Sequence, residues 1–285
     1  MSLYQDLRHL QTIPHAYENW AEYRRAVTSY LIANTSSDSS LAIFGAGGCN
    51  DLDLSLLISH FSSITLIDRN VHAMEAALTQ YALTDYPNIR LCGCDLIGIS
   101  DASYEKFADT LIEQLQLFGS SVDPEYLQSI ALSYLHQVYE HTACHKISFG
   151  RQYFDYSVSL GLHSQLNNMA AWIWNAVTAP LHSITLPIAQ GWNDTLVTQY
   201  IAANNKALTA RVNDTILEST KKAVLFGNER TGTAINGPVA GAVECILDIK
   251  KRFPDCKTAL VNWDFDPSGG RSYEMLLQTV DLTKA

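Results

Sequence analysis

The chain has 285 residues, 47% hydrophobic and 17% charged, which describes a folded globule with a substantial core and excludes a disordered chain. Its net charge of −10 argues against nucleic acid or anionic membrane as partners, because affinity for phosphates comes from clustered Lys and Arg. The six cysteines, at 49, 92, 94, 144, 245 and 256, lack the C-x-x-C pairs of zinc and redox sites, so reduced thiols and no metal centre are expected.

The opening MSLYQD has no basic region leading into an apolar core, and no apolar run is long enough to cross a bilayer; a cytoplasmic protein is expected. Residues 3–32 predict helix, with Trp20, Tyr23, Val27, Tyr30 and Leu31 on one stripe. Residues 1–36 therefore read as a helical cover and 37–285 as an α/β domain, joined through the polar run 33–40.

Residues 41–44 (LAIF) predict a buried parallel strand that runs into the glycine-rich turn GAGG at 45–48. Gly45 and Gly47 permit a tight turn and close approach of a ligand to the backbone. Asn50 or Asp51 is the expected cap of a helix over 51–58. A second strand, 64–67 (ITLI), ends in Asp68 and Arg69, about twenty residues past the glycines, where doubly wound folds place the carboxylate that meets a ribose diol. Asp68 also has a capping role open to it before the helix at 71–78, as has Asn70. A third strand, 89–94 (IRLCGC), is followed by Asp95 and Leu96.

These landmarks, in this order, resemble the class I S-adenosylmethionine-dependent methyltransferases. In that family the glycine loop passes under the methionine part of the cofactor, the acid after the second strand takes the ribose hydroxyls, and the acid after the third strand faces the adenine amine. The resemblance covers residues 40 to 100 through its motifs and the remainder through topology. Ile43 and Cys49 stand where the family pattern has an acid and a third glycine. The resemblance implies S-adenosylmethionine as cofactor, with Gly45, Ala46, Gly47, Asn50, Asp68, Arg69, Asp95, Leu96 and Gly161 as its contacts. It also implies a helical cover from which Tyr17 and Arg24 reach the methionine carboxylate. Two alternatives stay open. One is an NAD(P)-dependent oxidoreductase, whose Gly-x-Gly-x-x-Gly needs glycine where this chain has Asn50; the other is a non-catalytic nucleotide-binding module of the same fold.

Beyond Asp95 the strand-helix rhythm breaks. Residues 101–117 and 123–139 predict amphipathic helices capped by Asp101 and Asp123, and together read as an insertion over about 100–146 that forms a lid or selects substrate. A fourth strand is expected at 153–160, helices at 169–177 and 194–220 with Pro180 and Pro187 as interruptions, and a fifth strand at 221–227. A helix at 237–249 then precedes an antiparallel hairpin of 258–263 with 272–280. The whole predicts a doubly wound, mostly parallel seven-stranded sheet with an antiparallel last strand, the closing feature that the resemblance implies.

Methyl transfer needs an aligned nucleophile more than an elaborate catalytic set, since the cofactor brings its own leaving group. At the end of the fourth strand His163 is the candidate catalytic residue, able to take a proton from a hydroxyl or amine or to orient it; its alternative is a histidine hydrogen-bonded within a loop. Gln165, Asn168 and Arg230 are substrate candidates, with Asn167 and Glu229 beside them. Arg230 favours a carboxylate substrate, because guanidinium pairs bidentately with that group. His141 and His145 have helical i, i+4 spacing that zinc can use, without the glutamate of the metalloprotease motif. The expected activity is methyl transfer to oxygen or nitrogen of a small molecule or peptide, with no nucleic-acid or membrane partner and the oligomeric state open.

Overall fold

The computed structural model describes residues 2–182, 195–233 and 239–284, Ser120 and His182 by their backbone alone. The expected starts of two helices, at Asp194 and Gly237, and the interruption at Pro187 lie outside the described residues. The chain divides into two compact units: a sheet unit of Ile13–Leu96, Ile147–Ser164 and Thr209–Ala285, and a helical unit of Met1–Thr12, Ile97–Lys146 and Gln165–Leu208. This division differs from the expected one. The N-terminal segment is split between the units, and the helical unit gathers a second stretch after the fourth strand as well as the expected insertion.

In the sheet unit seven strands, β1 (Ser40–Phe44), β2 (Ser63–Asp68), β3 (Ile89–Gly93), β4 (Phe154–Leu160), β5 (Thr220–Gly232), β6 (Lys257–Asp266) and β7 (Arg271–Asp281), form one sheet in the order β3-β2-β1-β4-β5-β7-β6. β1 pairs in parallel with β2 and with β4, while β7 runs antiparallel to both β5 and β6. Six strands thus run one way and β7 the other, as expected. Leu41, Ala42, Ile43 and Phe44 are all buried, because β1 is covered on both faces; burying such side chains contributes about 1.5–3 kcal/mol for each large one. The chain leaves β1 toward β2 on one side and pairs with β4 on the other, so the strand order reverses between β1 and β4. That reversal is where an open α/β sheet leaves a crevice outside its strand ends.

The helices of this unit differ from expectation at their starts. The N-terminal helix is broken: His15 adopts φ 55°, and α2 (Ala16–Asn19) and α3 (Ala21–Ala33) meet at Trp20. α4 spans Leu54–His60 and is capped by Asp53, whose side chain accepts from the Ser55 and Leu56 amides, so neither Asn50 nor Asp51 is the cap. α5 (Val71–Gln80) is capped by Asn70, which accepts from the Ala73 amide and leaves Asp68 free of that task.

In the helical unit α1 (Leu3–Leu10), α6 (Asp101–Phe118), α7 (Pro124–Cys144) and α8 (Asn168–His182) pack with the first part of α9 (Leu196–Ser219). Asp123 caps α7 with Pro124 in its first turn, as predicted; α6 is capped one residue earlier than expected, by Ser100. Buried Asn167 ties three helices together, accepting from Tyr139 Oη at 2.8 Å and donating to the Ile201 carbonyl and to Asn205 Oδ1. No described helix is long and apolar enough to cross a membrane.

Candidate cofactor and substrate site

The turn after β1 is fixed by the end of β2. The Gly45 and Ala46 amides donate to the Ile67 carbonyl at 2.8 and 3.1 Å, and the Gly47 amide donates to Asp68 Oδ2 at 2.9 Å. Gly45 and Gly47 have φ of 72° and 47°, in the left-handed region that glycine enters without Cβ strain. Asp68 Oδ1 meanwhile accepts from the Asn70 amide at 2.7 Å. The carboxylate therefore braces both loops and keeps further lone pairs for another donor, since an ionised carboxylate offers about four acceptor positions. Arg69 follows it directly, and half-buried Asp95 and Leu96 follow β3 in the neighbouring position.

Arg24 on α3 reaches the same loop. It is only 7% exposed, its Nη1 donates to the Tyr17 carbonyl at 2.7 Å and the Asn50 carbonyl at 3.0 Å, and its guanidinium lies 4.1 Å from the Tyr17 ring centroid. Tyr17 in turn meets Tyr81 edge-on, and the Tyr81 hydroxyl donates to the Leu52 carbonyl. Tyr17, Arg24 and Asn50, named from the sequence as separate candidates, are thus one assembly.

Beside it lie three groups of unusual character. Burial pushes the Asp51 carboxyl up to about 7, a rise that the Asp51 backbone amide and the Arg24 charge oppose and that Glu229 and Asp68 reinforce. Glu229, near the end of β5, is 3% exposed; its Oε1 accepts from Ser164 Oγ at 2.7 Å, its Oε2 has no partner among the described residues, and burial raises its pKa. Tyr23 is equally buried, its hydroxyl has no partner, and its pKa is raised by burial and by the nearby Asp51 and Glu229 charges. Gly161, after β4, sits among them: a Cβ there would lie 3.5 Å from Glu229 Oε1 and 3.7 Å from the Trp263 ring. Trp263 stacks on Tyr23 at 4.9 Å between centroids. Buried polar atoms without partners are rare in folded proteins, and a cluster of them at strand ends marks a ligand position.

Four sequence candidates are placed elsewhere. His163 is 1% exposed, and its Nε2 shares a hydrogen bond with Asn213 Oδ1 at 2.9 Å. Burial lowers it to about 4. Its Nδ1 has no partner among the described residues, and the enclosed ring, held by Asn213, matches the alternative of a histidine hydrogen-bonded within a loop. Gln165 and Asn168 belong to the helical unit, where Asn168 Nδ2 donates to Gln165 Oε1 and Asn168 Oδ1 accepts from Gln11. Arg230 is ion-paired with Glu274 on the exposed side of β5, which removes the basis for a carboxylate substrate. Glu229, named from the sequence with Arg230 as able to touch substrate, is the buried member of that pair. The available signal was an acid inside the run 224–229 (VLFGNE).

No protein-family model matches the sequence, and no curated protein does. Among solved structures, the chain is similar to the N-methyltransferase NodS of Bradyrhizobium japonicum in complex with S-adenosyl-L-homocysteine, at 13% identity and a TM-score of 0.48, over 99% of this chain and 98% of that one. It is also similar to a methyltransferase of Aquifex aeolicus, at 8% identity and a TM-score of 0.43, over 97% and 98% of the two chains. What fixes the architecture is the chain's own strand order and register. With the 3-2-1-4-5 order of a doubly wound sheet and a reversed seventh strand set between β5 and β6, the chain has the fold of the class I S-adenosylmethionine-dependent methyltransferases.

Proposed function

We propose that the protein is an S-adenosylmethionine-dependent methyltransferase acting on oxygen or nitrogen of a small molecule or peptide. The observation that carries this reading is the constellation at the strand reversal, where Asp68 holds the glycine turn and the buried Tyr23 Oη and Glu229 Oε2 have no partner among the described residues. The residues fit the cofactor's chemistry. Asp68 has lone pairs for a ribose diol, Gly45, Ala46 and Gly47 present backbone, and Arg69, Asp95 and Leu96 line the expected adenine side. Arg24 supplies a cation for the methionine carboxylate, and Asp51 supplies negative charge for its ammonium.

When bound, S-adenosylmethionine supplies an activated methyl group with its leaving group attached. The chain's own work is alignment and exclusion of water. Trp263, Tyr23 and Gly161 form an apolar wall, and Glu229 places a proton acceptor against it. Isothermal calorimetry is the test: S-adenosylhomocysteine is expected to bind at micromolar concentration and NAD not to bind. Binding of NAD alone would transfer the reading to an oxidoreductase. Binding of S-adenosylhomocysteine with no methyl transfer to any of a panel of hydroxyl and amine acceptors would make the protein a binding module.

A further inference from the structure

A cleft of about 880 Å³ opens between the α2–α3 segment and the far ends of β5, β6 and β7, a volume suited to a small molecule. Glu18, Glu22, Asp264 and Glu274 line it, and no lysine or arginine does among the described residues; of the four carboxylates, Glu274 is ion-paired with Arg230. Tyr23 is part of its wall, and the Tyr23 hydroxyl is buried, unpartnered and within electrostatic reach of Asp51 and Glu229. Glu229 is not itself part of the wall; it lies behind Tyr23, whose hydroxyl feels its charge, and its Oε2 also lacks a partner among the described residues. A buried carboxylate oxygen with no donor is costly, and a donor brought by a ligand removes that cost. A ligand admitted between these carboxylates, one of them already paired, is a cation, and the chain's net charge of −10 steers cations toward it.

Resting on the methyltransferase reading, we propose that the methyl acceptor is the nitrogen of a small cationic amine, admitted by the acidic cleft and met by Glu229 Oε2. The ammonium gives its proton to the Glu229 carboxylate. The freed nitrogen lone pair then forms the bond to the methyl carbon while the carbon–sulfur pair returns to sulfur, leaving a methylated ammonium and a neutral thioether. A carboxyl held above its ordinary range by burial is suited to accept that proton. Anionic acceptors are repelled along the same path.

The test is calorimetry on the full chain, first with S-adenosylhomocysteine, then with spermidine or succinate added to that complex. Spermidine is expected to bind and succinate not to. Glu229→Gln is expected to weaken spermidine by about tenfold, the loss of a charge-assisted hydrogen bond, with S-adenosylhomocysteine affinity retained. The double variant Glu18→Gln with Glu22→Gln, at the cleft, gives a second readout should Glu229→Gln fail to fold: a weaker spermidine affinity with a shallower salt dependence. If the native chain does not bind S-adenosylhomocysteine, the methyltransferase reading itself fails. If it does, but spermidine does not bind, or binds equally to the variants, the amine inference alone is overturned. Loss of S-adenosylhomocysteine binding in Glu229→Gln would assign that carboxylate to the cofactor and overturn it too.

Discussion

Beside α10 (Ala242–Arg252), the side chains of His163, Asn213, Asn228, Cys245 and Asp248 answer one another. His163 pairs with Asn213, Asn213 donates to Asp248, and Asn228 donates to Cys245. At the strand ends Tyr23, Asp51 and Glu229 are also taken from water, but there a hydroxyl and a carboxylate oxygen are left unanswered. Both clusters hold titratable groups with displaced pKa values, so displacement does not separate structure from function. What separates them is the kind of atom left over among the described residues: beside α10 a ring nitrogen, His163 Nδ1, and an amide oxygen, Asn228 Oδ1, each on a side chain held elsewhere, and at the strand ends a carboxylate oxygen and a hydroxyl set beside charged groups.

The first cluster should break the fold when disturbed, and the second should break binding. The largest effect is expected from Gly241→Ala beside His163. Gly241 has φ 83°, and a Cβ there would stand 2.1 Å from the His163 carbonyl oxygen, which is backbone and cannot step aside. Left-handed strain and overpacking together predict a loss of about 3 kcal/mol or more in urea unfolding. A loss under about 1 kcal/mol would mean that this packing is looser than described. Next is Asp68→Asn, expected to weaken S-adenosylhomocysteine by about 2 kcal/mol in calorimetry through the ribose contact and the Gly47 amide; an unchanged Kd would remove Asp68 from the cofactor. His163→Ala is expected to cost about 1–2 kcal/mol of stability by leaving Asn213 Oδ1 only the weak Cys245 Sγ donor at 3.5 Å, while the same Kd is retained. A loss of turnover in a stably folded His163→Ala would restore the histidine to the chemistry.

The sheet's framework is legible in the sequence because it is written locally: an apolar run for β1, glycines where φ is positive, an acid closing β2. The site is legible only in part, and β5 shows why. Ending that strand at Gly227 makes Glu229 and Arg230 equivalent loop residues. In the structure β5 continues to Gly232 because β7 pairs with it, Glu229 opposite Met275 and Thr231 opposite Glu274. The register shifts between those two pairs, leaving Arg230 as the extra residue of a bulge, so Glu229 ends the buried run and Arg230 is exposed. The pairing partner is more than forty residues away, and no local pattern announces it. The enclosure of His163 is illegible for the same reason, since Asn213 and Asp248 lie far along the chain. Asp53 displaced the nearer cap candidates because the turn after Gly47 runs on through Cys49, which itself has φ 47°.

The finest test of the contrast is acid titration, because the two clusters push stability in opposite directions over the same pH range. Asp51 titrates near 7 when folded and near 3.8 when unfolded, so between those values the folded chain holds the extra proton. Its contribution to stability therefore grows as pH falls from about 7 to about 4. His163 titrates near 4 when folded and near 6.5 when unfolded, so across that interval the unfolded chain holds the extra proton, and its contribution is lost as pH falls. In the native chain the two slopes offset each other, which makes this the smallest expected signal. Single variants expose it: relative to the native protein, Asp51→Asn should lose more stability between pH 7 and pH 4, and His163→Ala should lose less, in urea midpoints measured at half-unit steps. Saturating S-adenosylhomocysteine sharpens the result further. A ligand ammonium beside Asp51 favours its charged form, so the Asp51 slope should shrink on binding while the His163 slope stays. Curves for both variants that run parallel to the native one would mean that neither group is as deeply withdrawn from water as its surroundings require.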